Sequence, residues 1–379
     1  MLTMDQFRQM FPLLAEFAYL DTAQRGLTPQ AVTDAGCQVL QDWQSLNSSS
    51  IRQLAGQAKE KLAKLLQVEA DELALVSNTA QGINRVASAI AWQPGDNVGL
   101  ADCEHASNFF PWAHLRERGV ELRLVSCPSG ILRPEDYRPY IDERTRAVAA
   151  SLVTFYPGAW LDARQLADIA HGAGALFVLD AVQAAGILPV YPRELGADAL
   201  ISAAYKGLMS AHGAGFIYVR REILPSLMPS HLYIFNVEGE LGMVGDAYTS
   251  PNYTLHPTAV RFEGGHHPVG VAQMNRALDY ILELGVEQIA EHVQALAAEL
   301  GEGLSSLGYQ IDTPLTPDYL RSIVCVRMKD GRKLAEYLAG KGVIASARRH
   351  GLRLALHAYN NATDVKRALD AFATYPERR

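Results

Sequence analysis

The stretch Leu176-Phe177-Val178-Leu179-Asp180-Ala181-Val182-Gln183 decides how the rest of the chain is read. Four apolar residues run without a break and end on a carboxylate. An unbroken apolar run of that length fits a strand covered on both faces, as strands of parallel sheets are. In an open parallel sheet, ligands bind beyond the carboxyl ends of the strands. Asp180 stands at such an end, where a carboxylate without a cation or hydrogen bonds costs several kcal/mol. The alternative is a helix N-cap or turn residue.

Outward from this strand, the same alternation of short apolar runs and amphipathic stretches extends from about residue 72 to 220. Strands are expected at 73–77, 97–101, 122–125, 147–153, 176–179, 198–202 and 215–219, with helices at 82–92, 108–118 and 162–171. Strands alternating with helices predict an α/β domain with a mainly parallel sheet covered by helices. Gly213-Ala214-Gly215 gives a tight entry into the last strand. Helical periodicity follows at 271–284 and 286–307, then strands at 323–327 and 352–355, with helices at 332–341 and 363–374. Thr363 is the expected N-cap of the last helix. The pattern predicts a large α/β domain over residues 16–261 and a smaller α+β domain over 262–379, joined by residues 1–15.

A chain of 379 residues is too long for one ordinary core, and 49% hydrophobic with 20% charged residues is enough for two. The net charge of −7 gives no general attraction for nucleic acid or anionic membranes. Cys37, Cys103, Cys127 and Cys325 form no C-x-x-C pair, so no zinc ribbon or thioredoxin-type motif is present. Scattered free thiols fit a reducing cytoplasm. No signal peptide and no run of roughly 18 apolar residues is found. Adjacent His266 and His267 point in different directions and lack supporting carboxylates, so no metal is expected. A Rossmann dehydrogenase would need a G-x-G-x-x-G turn after its first strand; Ser77–Asn84 holds one Gly.

Five positions carry chemistry. A pyridinium N–H would hold Asp180 ionised, and Asp180 would keep a ring nitrogen protonated, making the ring an electron sink. Gln183 is placed to reach the same ligand. Lys206 follows an apolar strand within a small-residue turn, Ala203-Ala204-Tyr205-Lys206-Gly207. Desolvation there lowers its pKa, and a neutral amine can form a Schiff base and move an α-proton; a solvated surface lysine is the other reading. Ser77-Asn78-Thr79-Ala80-Gln81-Gly82 ends a strand and opens a helix, whose free N–H groups suit a phosphate, or merely need capping. His105, in Cys103-Glu104-His105-Ala106-Ser107-Asn108, could stack on a planar ring or stand alone. Arg353, within the apolar Leu352-Arg353-Leu354, must find an anion: an amino-acid carboxylate or an internal acid.

Taken in order, these segments resemble the class V aminotransferase and cysteine desulfurase-like group of fold-type I enzymes that use pyridoxal 5'-phosphate (PLP). The likeness begins at Tyr19-Leu20-Asp21-Thr22-Ala23 and includes Asp180-Ala181-Val182-Gln183-Ala184-Ala185-Gly186 and Phe262-Glu263-Gly264-Gly265. It ends at Arg353 with Tyr359-Asn360. The resemblance implies Lys206 as the Schiff-base lysine, with Tyr205 beside it. Asp180 would be the pyridinium partner, Gln183 the contact to the ring oxygen, and His105 the stacking ring. Thr79 and the Ala80 amide would hold phosphate, and Arg353 the substrate carboxylate. It further implies a homodimer with shared sites, in which the 264–267 segment, His266 included, approaches the partner's phosphate. Arg25, Arg348, Arg349, His350, His266 and His267 are candidates for reading the distal part of an amino-acid substrate.

The chain departs from the desulfurase pattern in four places. Residues 342–352 read GVIASARRHGL and hold no Cys where desulfurases carry a nucleophilic one. Tyr205, Ala203 and His266 stand where desulfurases have His, Ser and Thr, and Tyr205 is similar to kynureninase-like members. The expected activity is therefore transamination at an amino-acid α-carbon, with β- or C–S lysis or epimerisation as alternatives and a non-catalytic scaffold as a remote one.

Overall fold

The computed structural model describes residues 2–45, 49–238, 253–264 and 267–376. Seven strands form the main sheet: β1 (Leu73–Val76), β2 (Asn97–Ala101), β3 (Glu121–Val125), β4 (Thr145–Ser151), β5 (Leu176–Asp180), β6 (Ala199–Ala203) and β7 (Gly215–Val219). Their spatial order is β1-β7-β6-β5-β4-β2-β3. The pairs from β3 to β6 are parallel, and β7 runs antiparallel between β1 and β6. The expected mainly parallel α/β sheet is therefore present.

Successive residues point to opposite faces, and both faces are buried. Phe177 and Leu179 enter one core with Leu73, Leu75, Val148 and Phe216. Val178 enters the other with Val76, Val98, Ile201 and Ile217. That double burial is why the strand reads as one apolar run rather than an alternation.

Several boundaries differ from expectation in ways that matter to the site. β5 continues through Asp180, so the carboxylate is the last ladder residue rather than a turn. The helix after β1 starts at Thr79, capped by the Asn78 side chain, and not at Gly82. Gly82 instead lets the helix lie on the sheet; a Cβ there would sit 2.6 Å from the Ile201 side chain. The helix after β2 is Ala106–Ala113, with His105 as its N-cap.

Two helices that the sequence reading left out, Gln30–Gln44 and Ser49–Leu66, pack against the helix Pro268–Leu284. A second sheet places β10 (Gly351–Ala355) between β8 (Ile323–Arg327) and β9 (Ser346–Arg348), antiparallel to both. The last helix, Ala362–Ala373, is capped by Asn361 and not by Thr363: the Asn361 side chain takes the amides of Thr363 and Asp364, and Asp364 reaches back. The N-terminal segment lies on these C-terminal elements. Arg8 grips both Asp364 oxygens at 2.7 and 2.9 Å, and Ala18–Tyr19 pairs with Val343–Ile344. Among the described residues no helix is long and apolar enough to cross a membrane.

Candidate active site

The ends of β1, β2, β4, β5 and β6 converge on one side of the sheet, and the polar residues that follow them meet there. A cavity of about 480 Å³ is lined by Lys206, His105, Tyr205 and Arg25, together with Tyr19, Asp21, Phe155 and His212. The main-chain turn carrying Lys206 is pinned from below. The Tyr205 carbonyl accepts the Gly26 amide, and a Cβ on Gly26 would come within 2.1 Å of the Lys206 carbonyl. Gly26 is therefore required by close approach.

Lys206 is 8% exposed, and burial lowers its amine to about 8, with the Arg353 charge pushing the same way. Asp180 is 4% exposed and accepts the Val182 amide at 2.9 Å. Burial pushes its carboxyl up to about 7; the Glu104 charge adds to this, and the Lys206 charge opposes it. A carboxyl so raised is one whose demand for a cation is not fully met.

His105 accepts the Ser107 amide on Nδ1 at 3.2 Å, which leaves the ring proton on Nε2. Desolvation, then the charges of Lys206, Arg353 and Arg348, hold the ring below its ordinary pKa, so it is a neutral plane. Its centroid lies 4.9 Å from Phe155. The other face of this aromatic cluster meets Arg353 and Arg348, whose guanidinium carbons stand 4.9 and 5.2 Å from the Phe155 centroid.

Arg353 is fully buried on β10. One terminal nitrogen donates to the Phe155 carbonyl at 3.2 Å, while Nε and the other terminal nitrogen have no hydrogen-bond partner among the described residues. Among the described residues no internal acid is in hydrogen-bond reach of it. Asp21, whose charge acts on Arg353, is held by the Ser346 hydroxyl, and burial raises its carboxyl.

The remaining expected residues are placed as follows. The Thr79 hydroxyl accepts the Ala203 amide at 3.1 Å, tying the helix start to the strand before Lys206. Asn78 takes the Gln81 amide at 2.9 Å, so the amides of Thr79 and Ala80 head the helix toward the site. The buried Gln183 donates to the Ala23 carbonyl at 3.2 Å. Tyr205 stacks on His212 with centroids 4.1 Å apart. Arg348 and Arg349 line the neighbouring cleft with His350. The His267 amide donates to the Gly213 carbonyl. His266 lies outside the described residues.

Phe155 and His212 were not foreseen. Phe155 follows the end of β4, so the strand-end rule that found Asp180 applies to it as well. His212 had no such signal; only the fold brings it onto Tyr205.

This donor set fits PLP. It offers a desolvated amine, a buried carboxyl short of a cation, a neutral ring, and helix-terminal amides for a phosphate. The unpartnered Arg353 nitrogens fit a carboxylate of the substrate.

Comparison with known proteins agrees. The aminotransferase class-V family model matches residues 18–374. A probable cysteine desulfurase of Methanothermobacter thermautotrophicus is 31% identical, over 80% of this chain and 76% of that protein. An uncharacterized aminotransferase of Bacillus subtilis is 26% identical over 97% of each. An apo cysteine desulfurase from Thermococcus onnurineus shares the fold with a TM-score of 0.87 at 22% identity, over 98% of both chains. The cystine C–S lyase C-DES does so at 0.86 and 18%, over 96% of this chain and 99% of that one.

Proposed function

Since this chain belongs to the class V aminotransferase family, we propose that it is a PLP-dependent enzyme acting at the α-carbon of a free amino acid, a transaminase before a lyase, with Lys206 as its catalytic residue. The observation that carries this is the desolvated Lys206 amine sharing one cavity with His105, above a buried, unsatisfied Arg353.

When bound, PLP supplies an aldehyde for amino groups and a protonated ring that drains electron density from the α-carbon. The chain's own residues do the rest. Lys206, with its amine near neutrality, holds the cofactor and moves the α-proton. Asp180 keeps a proton on the ring nitrogen, and Gln183 and Tyr205 orient the ring's polar edge. His105 would stack on the ring. Thr79 and the Ala80 amide would hold the phosphate at the helix N-terminus, and in the homodimer His266 would approach the phosphate bound by the other subunit. Arg353 would hold the substrate carboxylate and so orient the α-carbon for reaction. Arg25 and Arg348 read the distal end of the substrate.

Desulfuration through a loop cysteine is set aside, because residues 342–352 contain none. The active form is read as a cytoplasmic homodimer with shared sites and the two-domain division at 261/262. The exposed Met228, Leu232, Tyr233, Phe235 and Tyr253 support a face that a second copy covers.

The test is an absorbance spectrum of wild type beside Lys206→Ala, followed by titration with an amino-acid panel. A near-visible band that the mutant lacks, and that one amino acid bleaches or shifts, supports the reading and identifies the substrate. A wild type that stays colourless after PLP addition removes it.

A further inference from the structure

Cys103 and Cys127 stand side by side. β2 and β3 are paired in parallel with Ala101 opposite Val125, and each cysteine lies two residues further along its own chain. The two chains remain together past the ladder. The Asp102 amide donates to the Val125 carbonyl at 3.0 Å, and the Cys127 amide donates to the Asp102 carboxylate at 2.8 Å. Asp102 and Cys103 turn at the strand end, the Glu104 amide donating to the Ala101 carbonyl at 3.4 Å, and both cysteines pack on the same core as Ala101 and Val125. Neighbouring strands lie about 4.8 Å apart, within the roughly 4.4–6.8 Å that separates the Cα atoms of a disulfide.

Each thiol perturbs the other, lowering Cys127 and raising Cys103. Both line a cleft of about 910 Å³ together with Phe155, Arg348, Arg349 and His350. Phe155 is the wall between this cleft and the Lys206 cavity. The other two cysteines differ. Cys37 is exposed and Cys325 is fully buried, its thiol pushed up to about 12 by desolvation.

We infer that Cys103 and Cys127 form a redox site, a dithiol that closes to an intrachain disulfide when a hydroperoxide enters the cleft. The Cys127 thiolate attacks the terminal peroxide oxygen. The O–O bond breaks and the leaving oxygen departs as water or alcohol with a proton, leaving a sulfenic acid on Cys127. Cys103 sulfur then attacks that sulfur. The S–O bond breaks, the S–S bond forms, and the hydroxide leaves as water with the Cys103 proton. Two electrons pass from the two sulfurs to the peroxide, and a reducing thiol reverses the change. In a reducing compartment the resting state is the dithiol, so the disulfide is a transient record of oxidant. Cys103 directly precedes Glu104 and His105, so closing the bond ties down the turn that carries the stacking histidine. The inference does not depend on which amino acid the enzyme takes.

The test uses the full chain, reduced, desalted and treated with hydrogen peroxide. The intact mass falls by two hydrogen atoms, a non-reducing peptide map joins Cys103 to Cys127, and dithiothreitol restores both thiols. Cys37→Ser leaves this behaviour unchanged, and Cys127→Ser abolishes the mass loss. A wild type that keeps both thiols, gains oxygen without the cross-linked peptide, or links through Cys37 overturns the inference. The wild-type peptide map decides the matter even where a cysteine variant folds poorly.

Discussion

Ser151 ends its strand level with Asp180 on the next, and gives both its amide and its hydroxyl to Glu104, at 2.7 and 2.5 Å. One serine thus brings the half-buried Glu104 carboxyl and the buried Asp180 carboxyl into electrostatic contact behind the site. Desolvation raises Glu104, which is held by Ser151 and Asn108, and the Glu104 charge raises Asp180 further.

Glu104→Gln removes that charge while keeping an acceptor for the Ser151 amide. Asp180 in the cofactor-free protein then titrates at lower pH than in wild type. Carbon-13 NMR of the Asp180 carboxyl measures this, and an unchanged or higher midpoint would sink the coupling.

Asp180 also sets a pH dependence of stability. Its folded carboxyl titrates at about 7, against about 3.9 unfolded. The folded state holds the proton more tightly, so stability is present at acid pH and lost as pH rises from roughly 4 through 7. The full loss is up to about 4 kcal/mol. Asp180→Asn escapes it, so thermal unfolding of the empty proteins shows the variant gaining on wild type between acid and mildly alkaline pH. PLP reverses the order, stabilising wild type more.

The Lys206 amine, lowered to about 8, is neutral in roughly a tenth of molecules at neutral pH, against well under a thousandth for an ordinary lysine. Uptake of PLP by the empty protein, trapped by borohydride and read by mass spectrometry at Lys206, climbs with pH and levels off slightly above 8. A rate still climbing at pH 10 contradicts the lowered amine.

Arg353 destabilises the empty protein, because a buried cation with unpaired nitrogens has lost water without replacement. Arg353→Met raises the melting temperature of the empty enzyme by roughly a few degrees. It lowers kcat/KM by about 100-fold or more, since charge-assisted bonds to a carboxylate contribute about 1.5–3 kcal/mol each. Arg353→Lys keeps the charge but loses the fork, and falls between. A variant less stable than wild type argues that the arginine is structural.

Much of the site was legible because its chemistry sits where a rule points. Asp180 ends an apolar strand, Lys206, Thr79 and His105 each follow one, and Arg353 interrupts one. Glu104 was in view but had no reason to matter until Ser151 was seen opposite Asp180, a relation between neighbouring strands that no local pattern encodes. His212 reaches Tyr205 through the path of the loop between β6 and β7, which no periodic pattern encodes. The Gln30–Gln44 helix escaped because its buried line is Val32, Gly36, Val39 and Asp42. Glycine and aspartate in that line dilute the apolar period. The last helix cap went to Asn361 over Thr363 because the reciprocal bond with Asp364 satisfies more backbone than one hydroxyl could.

The grip of Arg8 on Asp364 spans 356 residues of sequence. On the ribosome the early segment therefore has no docking place until residue 364 has emerged. The central sheet can assemble while synthesis continues, but the clasp must wait, leaving Phe7 and Phe11 uncovered in the nascent chain. That interval, rather than any weakness of the finished fold, is when these two rings stand open to unwanted contacts.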